Sequence, residues 1–204
     1  MTPSSAHVGA VIAATCLTCA LIIPAGFTPA RSASTLPGTA HAESNGPLPA
    51  HTGGFGEPTC GACHIQADVN AGTGSLTLAG LPLEYAGGVT YSLTVTLTQP
   101  GLAAGGFQLS SRFADGTQAG TLAHASNDST RVAVTTAGGV EYIHHVYAGT
   151  RRSAPDTIAW RIRWDAPANG GAIVFHVSAN AADDDASPLG DMIYTTSLRT
   201  VPGK

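Results

Sequence analysis

The sequence predicts an all-β fold, built as an antiparallel β-sandwich. The 204-residue chain is rich in Gly, Ala, Thr and Val, and only 11% of its residues are charged, which suits strands better than helices. From residue 75 onward, short segments with a two-residue hydrophobic period alternate with turn sequences such as "QPG", "ADG" and "DAPANGG". No segment has a convincing helical period. Short strands with turns at this spacing are typical of a sandwich.

Each strand is predicted from its alternation of apolar and polar residues. Val89–Thr98, "VTYSLTVTLT", alternates without a break, as a half-buried strand does. In Thr157–Trp164 two Ile and two Trp residues alternate with Ala159, Arg161 and Arg163, so both tryptophans are expected in the core. The other predicted strands are Ser75–Ala79, Gly106–Phe113, Gln118–His124, Arg131–Thr135, Val140–Tyr147, Ala172–Ala179 and Met192–Leu198.

The N-terminal segment is predicted to be an export signal. The run from Val8 to Ala25 carries no charge and has the length of a long signal-peptide core, and small residues suited to cleavage follow it. Residues 2–7 contain no Lys or Arg, which departs from the usual signal pattern. An uncleaved membrane anchor is the alternative, because the run is close to the shortest length that spans a bilayer. A periplasmic or extracellular location is therefore expected.

The chain is expected to have one folded domain after a linker. Residues 27–52 are rich in Pro, Ser, Thr, Gly and Ala without periodicity, which predicts a flexible linker. The predicted division is a signal and linker over residues 1–42, a linker with a cysteine motif over residues 43–73, and the sandwich over residues 74–200.

The strongest chemical motif is C-x-x-C-H, formed by Cys60, Cys63 and His64 in "GFGEPTCGACHIQ". In c-type cytochromes the two thiols bind haem covalently and the adjacent His supplies an axial iron ligand. The spacing suits this role because one short turn must supply both thioethers and the ligand. The other two cysteines, Cys16 and Cys19, lie in the predicted signal and would leave with it.

Three other interpretations of the motif remain open. A structural zinc site usually needs four protein ligands, often including a second Cys pair. A redox dithiol usually opens a helix in an α/β fold, whereas strands follow here. A local disulfide is the simplest alternative. The motif as a whole, in an exported chain with no other cysteine, predicts covalently attached haem c.

A six-coordinate haem needs a second axial ligand, usually His or Met. The candidates are His51, His124, His144, His145, His176 and Met192. Neighbouring side chains in a strand point to opposite faces, so only one of His144 and His145 can face a haem on a given side of the sheet. A five-coordinate haem that binds a gas is the alternative.

Several blocks of the sequence resemble a known family. They are "TGGFGEPTCGACH", "GSLTLAGLPLEYAGGVTYSLTVTLTQPG", "GGFQLS", "VEYIHH", "WRIRWDAPANGGAIVFHVSANAADDD" and "GDMIYTTSL". Over about residues 52–200 the chain is similar to the bacterial choice-of-anchor V domain, which is itself similar to the reeler (reelin N-terminal) domain. The resemblance implies a reeler-like, immunoglobulin-like sandwich preceded by the C-x-x-C-H segment, and it favours His145 as the second axial ligand. His144, Met192 and His51 are the alternatives.

Other classes of function find little support. The net charge is −4 without a strong basic cluster, which does not favour nucleic-acid binding, and no hydrolase or nucleotide-binding motif is present. Four aspartates crowd one segment, which predicts a solvated acidic turn rather than a calcium site. They are Asp183, Asp184, Asp185 and Asp191.

The sequence therefore predicts an exported monohaem c-type cytochrome that transfers one electron at a time to a redox protein partner or within a larger complex, and that is not an enzyme. The alternative is a non-enzymatic extracellular or cell-surface binding module. In that case Cys60 and Cys63 would form a local disulfide or a metal site.

Overall fold

A computed structural model describes residues 43–65 and 67–204; the predicted export signal lies outside them. The ten strands are β1 Ser75–Ala79, β2 Glu84–Tyr85, β3 Thr90–Thr98, β4 Ala104–Phe113, β5 Thr121–His124, β6 Val132–Ala137, β7 Val140–His145, β8 Thr157–Asp165, β9 Ile173–Ala182 and β10 Met192–Pro202. Single 3₁₀ turns occur at Cys60–Ala62, Ser126–Asp128 and Tyr147–Thr150. In the described part of the chain, no helix has the length and apolar character needed to cross a bilayer.

The strands form two sheets packed face to face. One is four-stranded in the order β1-β3-β8-β5, and the other is six-stranded in the order β2-β10-β9-β4-β7-β6. Neighbouring strands are antiparallel except β2 and β10, which are parallel. The predicted all-β sandwich is confirmed.

The core lies between the sheets and contains the residues that the alternation predicts. Trp160 and Trp164 of β8 are fully buried, and the Trp160 ring packs on Phe107 of β4 with ring centroids 4.5 Å apart. Each indole N–H donates to a backbone carbonyl, at 2.8 Å for Trp160 and 2.9 Å for Trp164. Both rings are therefore buried without leaving an unpaired polar group.

Some predicted boundaries move for local reasons. Strand β2 was not predicted, because two residues are too few for a period to be recognised, although Tyr85 is almost completely buried. Val89 precedes β3 and is 43% exposed. Strand β7 ends at His145 because a 3₁₀ turn begins at Tyr147. Strand β9 continues to Ala182, three residues beyond its predicted end.

Residues 43–65, which we call the strap, lie on the outer face of the six-stranded sheet. Thr52 is only 1% exposed, and the strap binds the sheet through Gln108 and Arg112 of β4 and Ser178 of β9. Residues 67–73 continue along β10, where the Asn70 N–H donates to the Ile193 carbonyl at 2.8 Å. The flexible linker predicted to extend through residue 52 is therefore not observed from residue 43 onward.

Candidate functional site

An open cleft lies between the strap and one end of the six-stranded sheet. Its floor is formed by the start of β4 and the end of β9, and His145 and the acidic loop after β9 form the sides. The cleft is open to solvent on one side. Cys60, Cys63 and His64 all line it.

The 3₁₀ turn Cys60–Ala62 brings the three motif residues to the cleft. Thr59 caps the turn, its hydroxyl oxygen accepting the Gly61 N–H at 3.1 Å. The His64 N–H donates to the Cys60 carbonyl at 3.1 Å, which closes the turn. The Cys60 N–H donates to the Ser178 hydroxyl of β9 at 3.1 Å and ties the turn to the sheet. Short-range backbone bonds thus set the spacing of the motif, and one sheet contact sets its position.

His64 is held by a buried carboxylate. Its Nδ1 lies 2.5 Å from Asp191 Oδ2, and the Asn180 amide donates to the same oxygen at 2.8 Å. Asp191 is 1% exposed and His64 is 22% exposed at the side chain. A carboxylate can only accept, so Nδ1 carries the hydrogen and Nε2 is the basic nitrogen, with the Asn180 amide nitrogen 3.5 Å from it. Histidine ligands of metals are usually held in this way through their other ring nitrogen.

Two buried oxygen atoms at this site have no hydrogen-bond partner in the described part of the chain. They are Asp191 Oδ1 and Asn180 Oδ1. An unpaired buried polar atom costs about 1–3 kcal/mol, so such atoms are uncommon in a purely structural site. Their position next to His64 marks this end of the cleft as a place where a further polar group can bind.

The two cysteines are separate thiols. Cys60 is half-buried, Cys63 is exposed, and both are free. Burial raises the pKa of Cys60 to about 11, although hydrogen bonding at Ser178 opposes that shift. A reactive redox dithiol needs the opposite, a lowered thiol pKa. Within residues 43–65 and 67–204 no three His, Cys, Asp or Glu side chains are grouped closely enough to hold a metal ion.

Of the four residues predicted as second axial ligand, His145 and His51 line the cleft with His64. His145 Nδ1 accepts the Phe107 N–H at 3.0 Å, and Nε2 lies 3.2 Å from the Glu43 carbonyl. Burial lowers the pKa of His145, and the nearby His144 and His64 lower it further. His51 Nδ1 lies 3.1 Å from the Leu48 carbonyl.

The other two alternatives lie away from the cleft. His144 is under the strap, with Nδ1 2.7 Å from the His145 carbonyl and Nε2 2.9 Å from the Thr135 hydroxyl. Met192 is partly buried and packs against the core between the sheets. The structure therefore does not bring either side chain together with Cys60 and Cys63.

Asp191 and Asn180 were not predicted as site residues. Asp191 was assigned to a solvated acidic turn, but it is buried beside His64, and only Asp183, Asp184 and Asp185 are exposed. Sequence spacing alone does not separate Asp191 from them. The one usable signal is its place directly before β10, where the chain re-enters the sheet.

The exposed part of the acidic loop forms the side of the cleft. Asp183 and Asp185 each accept the backbone N–H two residues ahead, at 3.1 Å and 2.7 Å. The carboxylates thus shape the loop as successive turns instead of converging on one point. Their negative charge nevertheless lies along one edge of the cleft.

Comparison with known proteins gives weak likenesses. No protein-family model matches the chain, and no curated protein sequence matches it. Among solved structures, the Reelin-N domain of F-spondin is 18% identical, covers 71% of this chain and 96% of its own, and has a TM-score of 0.49. The human F-spondin reeler domain is 18% identical, covers 68% of this chain and 94% of its own, and has a TM-score of 0.45. A cohesin module from Clostridium perfringens is 11% identical, covers 64% of this chain and 96% of its own, and has a TM-score of 0.46. The description of this chain as an all-β sandwich rests on its own strand pairing.

Proposed function

We propose that this protein is an exported monohaem c-type cytochrome that carries one electron at a time. Cys60 and Cys63 bind the haem covalently, and His64 is the proximal iron ligand. The observation that carries the proposal is the arrangement of His64: it shares one short turn and one cleft with the two thiols, and buried Asp191 holds its Nδ1 at 2.5 Å. The chain thus presents Nε2 together with both thiols.

The residues of the cleft fit a haem. Both thiols are free, as addition to the vinyl groups requires, and both line the same open cleft as His64. When bound, haem supplies an iron centre that gains and loses one electron. Asp191 keeps the His64 ring in one tautomer and makes it a stronger electron donor. The sheet beneath the turn excludes water from one side of the site.

The open mouth of the cleft suits a short-lived contact with a redox partner. Leu48 and Tyr147 line the cleft and are 63% and 56% exposed, and Ile65 beside it is 64% exposed. The carboxylates of Glu43 and the acidic loop lie next to these apolar side chains. A small apolar contact edged by negative charge suits a partner with a basic surface, whose approach the charges would steer. A periplasmic or extracellular location is part of the proposal, because covalent haem maturation requires export.

Membership of the choice-of-anchor V family also remains a proposal, supported by the sequence blocks described above. Should the chain carry no haem, the exposed apolar residues at the cleft favour an extracellular binding module, with the thiols as a local disulfide. That reading depends on the cysteines being oxidised, whereas both are free in the structure.

The test is covalent haem in the full chain, exported by cells that mature other c-type cytochromes. After acid–acetone extraction we expect haem to remain with the polypeptide and to give a c-type pyridine haemochrome spectrum. The Cys60→Ser, Cys63→Ser double variant should lose it. The matched control, Cys16→Ser with Cys19→Ser, changes the cysteines of the predicted signal and should keep it.

A colourless polypeptide from such cells would contradict the proposal. Counting thiols would then distinguish the alternative. Two thiols that react only after reduction indicate a disulfide, whereas thioethers react in neither state.

A further inference from the structure

Three histidines line the cleft, and the structure distinguishes them by the ring nitrogens that they leave free. We propose that His51 is the second axial ligand of the haem iron and that Gln108 positions it. This inference rests on the proposed function. It prefers His51 to His145, which the family resemblance favours. It follows from the hydrogen bonds of the two side chains.

His51 has the same arrangement as His64. Its Nδ1 lies 3.1 Å from the Leu48 carbonyl and 3.0 Å from the Pro49 carbonyl. Carbonyl oxygens only accept, so Nδ1 carries the hydrogen and Nε2 carries the lone pair that a metal needs. No residue in the described part of the chain forms a hydrogen bond with this Nε2.

Both ring nitrogens of His145 lie beside backbone groups: Nδ1 is 3.3 Å from the Phe107 carbonyl as well as close to the Phe107 N–H, and Nε2 is 3.2 Å from the Glu43 carbonyl. Its Nδ1 accepts the Phe107 N–H at 3.0 Å, so the ring takes the place of a strand carbonyl where β4 and β7 separate. A Cβ on Gly106 would lie 2.3 Å from the His145 ring, so the ring packs directly on the β4 backbone. Turning it toward an iron would leave the buried Phe107 N–H unpaired, at about 1–3 kcal/mol.

Gln108 fixes the loop that carries His51. It is fully buried on the outer face of β4. Its Oε1 accepts the His51 N–H at 2.7 Å, and its Nε2 donates to the Leu48 carbonyl at 2.9 Å. One side chain therefore holds both ends of the four-residue loop 48–51.

The loop backbone is strained beside the proposed ligand. Ala50 has a φ of 64°, in the left-handed region that residues other than glycine seldom occupy. Such strain costs about 1–3 kcal/mol and persists where the surrounding contacts enforce it, which occurs mostly at functional sites. Here the enforcing contacts are those of Gln108, and the strained residue directly precedes His51.

The test compares His51→Ala with His145→Ala in the haem-loaded full chain, with His124→Ala on the far sheet as control. We expect the wild type and the control to be six-coordinate and low-spin. His51→Ala should become high-spin, its reduced form should bind carbon monoxide, and added imidazole should restore the low-spin spectrum. His145→Ala should keep the wild-type spectrum.

The inference is wrong if His51→Ala stays low-spin, if His145→Ala is the variant that becomes high-spin, or if the wild-type protein is already five-coordinate. All three outcomes leave the covalent haem intact. They are thus distinct from failure of the proposed function, in which wild-type protein has no haem.

Gln108→Met tests the positioning role, because methionine fills similar space without either hydrogen bond. We expect a mixture of low-spin and high-spin haem that added imidazole returns to low-spin. Gln108→Glu retains an acceptor for the His51 N–H and should stay closer to the wild type. A wild-type spectrum for Gln108→Met would exclude the positioning role, since a purely structural contribution would lower stability without changing the spin state.

Discussion

The outer faces of the two sheets differ in what their polar side chains do. On the four-stranded sheet, outward residues of β8 such as Arg161 and Arg163 are exposed, and the apolar residues between them are fully buried. On the six-stranded sheet, eight successive residues of β4, from 105 to 112, are buried, and Gln108 and Arg112 are among them. The strap makes this difference, because it converts a solvent face into an interior one.

The covered face is held by charge and hydrogen bonding. Arg112 forms an ion pair with Glu57 of the strap, and the Tyr142 hydroxyl donates to the same carboxylate at 2.6 Å. The guanidinium also lies 5.0 Å from the centre of the Phe55 ring, within cation–π range. Outward polar residues of a sheet can therefore be the attachment points of a chain segment rather than a solvated surface.

The comparison predicts its largest effect at matched arginines. Arg112→Gln should lower the free energy of unfolding by about 3–5 kcal/mol, because it leaves Glu57 as a buried unpaired charge. Arg163→Gln removes one partner of an exposed pair with Asp165, where the side chains are 47% and 38% exposed, and should change the free energy by under about 1 kcal/mol. Urea titration followed by circular dichroism measures both. Equal effects would mean that the strap does not bury Arg112 in solution.

A second effect is expected where the strap backbone meets the sheet. A Cβ on Gly54 would lie 2.3 Å from His176 Cγ, whereas nothing lies within 4 Å of one on Gly171. Gly54→Ala should therefore destabilise the protein by about 1–3 kcal/mol through overpacking, and Gly171→Ala should be neutral or slightly stabilising. Urea titration followed by circular dichroism measures the free energy of unfolding of both variants. A tolerated alanine at residue 54 would indicate a strap that can lift off the sheet.

A third prediction separates buried Asp191 from the exposed aspartates near it. In the haem-loaded protein, Asp191→Asn should weaken the hold of His64 on iron by about 10–100-fold, since it replaces the carboxylate that orients the ring. Asp183→Asn should have no such effect. Titration with imidazole, followed in the visible spectrum, measures the competition. If the two variants behave alike, Asp191 does not act through His64.

The smallest predicted effect is a dependence on pH. Burial lowers the pKa of His145 and of His176 below 6.5, and Arg112 contributes to the shift of His176. Between the folded pKa and 6.5 the unfolded state binds more protons, so stability decreases as the pH falls through this window. Urea midpoints at pH 7.5 and pH 5.5 should show the decrease, and His176→Gln should reduce it. His124→Gln, on the other sheet, is the control, and an equal reduction there would contradict the assignment.

The sequence predicts the four-stranded sheet better than the covered one. Strands β3 and β8 follow from alternation, because one face meets the core and the other meets water. Residues 43–52 of the strap are predicted as a linker because their Gly and Pro content describes local chain flexibility, whereas the position of the strap depends on residues 55 to 127 positions away. The sequence does predict that Cys60, Cys63 and His64 lie together, because their spacing places them in and beside one short turn. The contacts of Asp191 and Gln108 depend on strand register and sheet order, which composition and periodicity do not encode.

The strap also has a consequence for the order in which the chain becomes available. It precedes all ten strands, yet its partners Ser178 and Asp191 lie 118 and 127 residues after Cys60 and His64. During synthesis the two thiols therefore emerge long before the residues that hold their turn in place. Contacts so distant in sequence form late. Under the proposed function, an enzyme that attaches haem to Cys60 and Cys63 would meet them in an extended segment, before the last two strands fix their turn on the sheet.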